Sequence, residues 1–144
     1  MPDAPLDVRP FQPADEAAVI ALWARCDLIR PWNDPQKDIQ RKLRVQPELF
    51  LVGLRDQTIV ATVMAGYEGH RGWINYLAVA PDLQRQGLGQ LILAAAEQRL
   101  QALGCAKINL MVRSSNAAAV AFYQRLGYQR DDVICLGKRL EHDQ

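Results

Sequence analysis

The stretch Trp73-Ile74-Asn75-Tyr76-Leu77-Ala78-Val79-Ala80-Pro81-Asp82-Leu83-Gln84-Arg85-Gln86-Gly87-Leu88-Gly89 passes from an apolar run into a polar turn with two glycines. Residues 73–79 read as a strand, apolar enough to be buried on both faces. Helical spacing takes over at Leu88, Ile92, Ala95 or Ala96, Leu100 and Leu103, with Gly104 as a natural residue just past the helix end. Residues 107–112 form a further strand. A strand-helix-strand unit of this kind makes its two strands parallel, with a right-handed crossover.

The turn inside that unit carries the chemistry. Gly87 and Gly89 let the backbone approach a ligand closely, and the free N–H groups of a first helical turn attract an anion. Arg85 adds positive charge, so a pyrophosphate fits. A dinucleotide-binding turn would need a third glycine or alanine where Ile92 stands, and the Gly-Lys-Ser/Thr of a P-loop is absent. A glycine-containing helix start with no ligand has the same spacing.

Working outward toward the N-terminus, residues 6–10 read as an edge strand stopped by Pro10 and Pro13. A helix follows through Val19, Leu22, Trp23 and Cys26, with Asp15 and Glu16 at its favourable end. The Leu28-Ile29-Arg30-Pro31-Trp32-Asn33-Asp34-Pro35 segment is a stiff loop, and Pro35 suits the first turn of a helix running to about residue 45. Residues 50–54 and 59–67 form a hairpin around Asp56-Gln57, and Glu68-Gly69-His70-Arg71-Gly72 is a polar turn. Toward the C-terminus, Asn116 can cap a helix with the stripe Ala119, Phe122, Tyr123 and Leu126, ended by Gly127. Tyr123 lies two turns beyond Asn116, on the same helix face, although a cap and a core aromatic would explain the pair equally. A last strand over 133–140 completes the order β-α-α-β-β-β-α-β-α-β, with room for another strand around Tyr128. The class is α/β (α+β) with a mixed sheet.

Composition narrows the field around these motifs. At 144 residues one domain, 1–144, is expected, large enough to fold without disulfide or metal. The 17 basic and 16 acidic residues argue against a general nucleic-acid binder, which needs clustered positive charge. Residues 73–144 carry 8 basic and 6 acidic groups, so neither half is a basic tail. Cys26, Cys105 and Cys135 fit neither a CxxC nor a zinc spacing, and reduced space-filling thiols are expected, with no metal. No apolar run approaches the ~20 residues that span a bilayer, and the polar, acidic start is no signal peptide. No membrane partner and a cytoplasmic location follow as expectations.

Gln84-x-x-Gly87-x-Gly89, after Leu77-Ala78-Val79-Ala80-Pro81, resembles the acyl-CoA-binding motif of the GCN5-related N-acetyltransferases (GNAT). Arg113-Ser-Ser-Asn116 followed by Ala121-Phe-Tyr123-x-x-Leu-Gly127-Tyr128 is similar to that family's second signature, in the expected order. The Arg30–Pro35 loop and the Gly-His70-Arg-Gly turn resemble, more narrowly, a bacterial subgroup of the YpeA type. The resemblance implies a mostly antiparallel sheet with a central pair of parallel strands, 73–79 and 107–112, splayed around the pantetheine arm of acetyl-CoA. Leu77 and Val79 would pair their backbone with that arm, and the amides of Gln84, Arg85, Gln86, Gly87, Leu88 and Gly89 would hold the pyrophosphate. Asn116 would contact the cofactor, and Tyr123 would serve as general acid near the sulfur.

Acetyl transfer to an amine needs a neutral nucleophile, a stabilised oxyanion and a proton or hydrogen bond for the leaving thiolate. Free tyrosine at about 10 and a thiol at about 8.5 make full proton transfer uphill by about 2 kcal/mol. The base has no matching residue. Where some relatives carry Glu or His this chain has Trp73 and Asn75, and Met111 stands where ribosomal-protein N-terminal acetyltransferases carry Glu. Glu68, His70 or Asp34 could act through water, or the amine could arrive neutral. Acceptor contacts are expected from Trp32, Asp34, Glu68, His70, Asn75 and Tyr76, which offer groups for an ammonium and for a carboxylate alike. The expected partner is an amine on a small molecule, peptide N-terminus or lysine. A catalytically weak acyl-CoA-binding regulatory module is the competing class, and monomer and homodimer are both open.

Overall fold

Asp56 and Gln57 adopt left-handed backbone, φ 52° and 64°, and turn β2 (Phe50–Arg55) back into β3 (Thr58–Tyr67). Two successive positive φ values match the twist of a tight hairpin. β1 (Asp7–Pro10) adds antiparallel to β2, and β4 (Gly72–Val79) adds antiparallel to β3. β5 (Ile108–Leu110) then pairs parallel with β4, giving the sheet order β1-β2-β3-β4-β5. The computed structural model describes residues 5–143.

Helices pack on this mixed sheet. α1 (Glu16–Arg25) buries Val19, Leu22 and Trp23, and α3 (Leu88–Ala102) buries Leu88, Ile92, Leu93, Ala96 and Leu100. α2 (Pro35–Lys42) starts with proline at its first position, where the missing N–H costs nothing. It stops three residues short of the expected end. Pro47 disfavours helical backbone at Gln46, which turns left-handed with φ 54°. Phe11, Phe50, Trp23 and Tyr76 form a ladder of stacked rings through the core, with centroids 4.6, 6.1 and 3.9 Å apart in turn.

Residues as far as Leu110, together with Asp143, form one compact unit, and Met111–His142 form a second. Within the second, α4 (Ala117–Arg125) begins where Asn116 Oδ1 accepts from the Ala119 N–H at 3.1 Å. It gives way to Gly127 in left-handed backbone, φ 95°. The Tyr123 ring meets Phe122 and Tyr128 edge-on, at 5.1 and 5.6 Å.

Four sequence expectations need correction. Among the described residues no strand forms over 133–140 or around Tyr128. Val133, Ile134 and Leu136 lack the alternation that gives a strand one buried face, Gly137 interrupts the run, and all three side chains are exposed. With no strand there, the parallel pair closes the sheet instead of lying at its centre. β5 is half its expected length because β4 leaves it after Ile74. β4 itself is open on one face at Trp73 and Asn75, alternating with buried Gly72 and Ile74.

The entry to α1 is held by charge. Asp15 Oδ2 accepts from Arg9 Nη1 at 2.7 Å and from the Gln12 N–H at 2.8 Å, while Oδ1 accepts from Arg9 Nη2 at 3.0 Å. Hydrogen bonding from Arg9, aided by Gln12 and opposed by burial, lowers the Asp15 pKa. A depressed folded-state value contributes stability above the unfolded value near 3.8, lost as pH falls through the folded one. Asp15→Asn is therefore expected to cost about 1–3 kcal/mol in urea unfolding at pH 7. The gap between variant and parent should shrink as the pH is lowered below about 4.

Candidate active site

The site begins with an extra residue in β4. Thr62 of β3 opposes Ala78 and Met64 opposes Asn75, so β3 advances two residues while β4 advances three. Such a bulge bends its strand and strengthens the twist. Tyr76, inside it, takes φ 51°, a conformation that costs a bulky side chain about 1–3 kcal/mol. Three contacts offset the cost. The Tyr76 ring stacks on Trp23 at 3.9 Å, its hydroxyl donates to Asp38 Oδ2 at 2.6 Å, and its carbonyl accepts from Thr62 Oγ1 at 2.8 Å. Thr62 in turn accepts from Trp23 Nε1 at 2.9 Å and is fully buried.

Beyond the bulge, among the described residues, β4 pairs with a strand on one side only. Its ladder with β5 covers Gly72–Ile74 and stops. The Ala80 N–H donates to the Val60 carbonyl at 2.8 Å on the β3 side. By strand alternation the amides and carbonyls of Leu77 and Val79 face the other way, along the unpaired edge. The Val79 carbonyl accepts from Gln84 Nε2 at 3.1 Å and from Cys26 Sγ at 3.2 Å. Burial pushes the Cys26 thiol up, which keeps it the protonated donor.

Gln84 thus ties the start of the turn to the end of the strand. Arg85 and Gly87 follow in left-handed backbone, φ 66° and 83°. Gly87 precedes α3 and brings no side-chain cap, and the first turn of α3 holds no acidic residue. Its N–H groups therefore face outward at the positive end of a 15-residue helix. Arg55 Nη1 donates to Gln86 Oε1 at 3.2 Å, and the Arg85 side chain is exposed.

On the other side of the bulge lies a cavity of about 300 Å³, between the end of α2 and the sheet. Asp38, Arg41, Lys42 and Val45 line it from α2 and its exit, and Met64, Asn75 and Tyr76 from β3 and β4. Arg41 Nη1 donates to Asp38 Oδ1 at 2.9 Å, and Arg41 Nη2 to Asp143 Oδ1 at 2.7 Å. The Asp143 carboxylate is completely buried and also accepts from the Asp34 N–H at 2.9 Å. Lys42 is nine-tenths buried, and burial pushes its ammonium down against the opposing effect of Glu48.

Of the residues expected to meet the acceptor, Asn75 and Tyr76 line this cavity; Trp32, Asp34, Glu68 and His70 are not among its lining residues. Asp34 caps α2, accepting from the Gln36 and Lys37 N–H groups at 2.9 and 3.1 Å. Glu68 accepts from the His70 and Arg71 N–H groups within its own turn. Trp32 and His70 are exposed, with Arg71 Nη1 3.5 Å from His70 Nδ1. Asp38, Arg41, Lys42, Thr62 and Asp143 were not anticipated. One signal was present in the sequence, since Lys42 falls three residues after the fully buried Ile39 on the same helix face. In the second unit, burial pushes the Tyr123 hydroxyl up to about 12, and no described residue hydrogen-bonds it.

Comparison with known proteins places these features in context. The pattern of the acetyltransferase (GNAT) family matches residues 17–128. An acetyltransferase of Yersinia pestis (strain Pestoides F) is 50% identical over 139 residues, covering 96% of this chain and 99% of the relative. The ribosomal-protein-S18-alanine N-acetyltransferase of Escherichia coli is 26% identical with a TM-score of 0.72, over 85% of this chain and 77% of that one. The structure of AAC(6')-Iy in complex with the bisubstrate analogue CoA-S-monomethyl-acetylneamine shares the fold. Its TM-score is 0.76 at 17% identity, over 94% and 99% of the two chains.

Thr62 offers a test of how the bulge is held. Thr62→Val keeps the shape but leaves the Trp23 N–H and the Tyr76 carbonyl without this partner. A loss of about 1–3 kcal/mol is expected in urea unfolding. Thr58→Val, at the exposed start of β3, should change stability by less than about 0.5 kcal/mol.

Proposed function

The chain belongs to the acetyltransferase (GNAT) family, and we propose that it moves the acetyl group of acetyl-CoA directly onto a primary amine. One observation carries the reading: an unpaired strand edge leads from the β4 bulge straight into an uncapped helix start. An extended arm with amides can complete the edge as an added strand does, at the Leu77 backbone and the Val79 N–H, the Val79 carbonyl being taken by Gln84 and Cys26. A pyrophosphate can take the N–H groups from Gln84 to Gly89, with Arg85 free to approach it. The thioester then lies toward the bulge, next to the cavity lined by Asn75 and Tyr76. In this reading 1–144 acts as one catalytic domain.

The amine nitrogen attacks the thioester carbonyl carbon, the C–N bond forms, the C–S bond breaks, and the amine loses a proton to solvent. Tyr123 is the general acid in this reading. With its hydroxyl pushed up to about 12 and a thiol near 8.5, complete transfer is uphill by about 5 kcal/mol. Tyr123 therefore acts chiefly by donating a hydrogen bond to the departing sulfur, and its lack of a hydrogen-bond partner among the described residues supports this. Asn116 is spent on capping α4 through Oδ1, which leaves its amide N–H groups for the cofactor arm. No dedicated base is required for an amine whose neutral fraction suffices at the working pH.

Two variants separate binding from chemistry. Gly89→Glu places bulk and negative charge against the pyrophosphate and should abolish acetyl-CoA binding in calorimetry while the melting temperature holds. Retained affinity would contradict this position for the anion. Tyr123→Phe should lower turnover on the order of 10²-fold, measured by thiol release, with acetyl-CoA affinity kept. Unchanged turnover would remove Tyr123 from the mechanism.

A further inference from the structure

The cavity beside the β4 bulge contains charged groups that are not equally satisfied. Asp38 has both oxygens occupied, one by Arg41 and one by the Tyr76 hydroxyl. Asp143 has both occupied by Arg41, and one also by the Asp34 N–H. Arg41 is spent on those two carboxylates. Lys42 differs. It is nine-tenths buried and lines the cavity, yet among the described residues its ammonium makes no hydrogen bond or ion pair. The nearby Gln46 carboxamide is engaged by the Tyr67 backbone at 2.8 and 2.9 Å.

Charge alone does not single out Lys42, since Asp38, Asp143, Arg41 and Lys42 sum to zero and Glu48 acts on its ammonium through space, without a hydrogen bond or ion pair. Hydrogen bonding does. An ammonium carries three donors and no acceptor, and the stem of Lys42 is buried while its unpartnered Nζ keeps access to the open side of the cavity. One open ammonium lining a recess matches one incoming negative charge.

Resting on the acetyltransferase reading, we propose that the acceptor is a compact amine that also carries a carboxylate, which Lys42 binds while the amine faces Asn75 and Tyr76. The cavity volume, about 300 Å³, is at the small end for ligand sites and suits an amino acid better than an oligosaccharide. Arg41 is a positioning residue here: it holds Asp38 and Asp143 in place and leaves Lys42 as the open donor. A monoanion also fits one ammonium better than a phosphate dianion does.

The test uses the full chain, acetyl-CoA and thiol release. The acceptors are matched pairs: α-amino acids against their carboxamides and their decarboxylated amines, with an aminoalkyl phosphate as a third arm. The expected result is a kcat/KM at least tenfold higher for the acid than for the amide. In Lys42→Met that ratio should fall toward one, and in Lys42→Arg part of it should return. A structural role alone would lower both values and leave their ratio in place. Equal use of acid and amide by the parent, an unchanged ratio in Lys42→Met, or a preference for the phosphate overturns the proposal. Should Lys42→Met fail to fold, inhibition of the parent by the matching des-amino carboxylate, and not by its amide, takes its place. Acetyl-CoA binding with no thiol release from any amine would instead overturn the acetyltransferase reading. Calorimetry of the amino acid against its amide then decides the Lys42 site separately.

Discussion

The hydrogen-bond chain from the Trp23 indole through Thr62 to the Tyr76 carbonyl is the constraint on which the site depends. It is buried, so each lost member leaves another polar group unsatisfied away from water. It also fixes one backbone carbonyl of a strained residue, and so fixes where β4 turns away from β5. The stacked rings of Phe11, Phe50, Trp23 and Tyr76 supply the apolar half of the same anchor. Together they convert ordinary core packing into an open strand edge.

That edge divides two kinds of recognition. On the side proposed for the cofactor the available groups are backbone amides and a helix start, suited to an extended polyamide and a pyrophosphate without a broad basic surface. This agrees with the near balance of 17 basic and 16 acidic residues. On the side proposed for the acceptor the cavity is lined by side chains of α2 and of the bulge.

Local signals made much of this legible in the sequence. The glycine turn before α3, the Asp56-Gln57 hairpin and the Asn116 cap each depend on a few adjacent residues, and each formed as expected. Features set by distant packing were not legible. A tyrosine gives no warning that it will adopt φ 51°, because Trp23 and Thr62 impose it from elsewhere in the chain. The length of β5 depends on where β4 departs, and the apolar run 133–140 resembled a strand without the pairing that makes one. The cavity was hidden for the same reason, since its walls come from α2, β3 and β4, far apart in the chain.

Arg41 and Asp143 lie 102 residues apart in sequence, yet their ion pair braces the cavity wall. A growing chain can pack Trp23 on its early strands soon after β4 has been made. The brace cannot close until Asp143 has left the ribosome. Synthesis therefore builds the open strand edge first and finishes the cavity wall last, so a nascent chain stalled short of Asp143 would have the former without the latter.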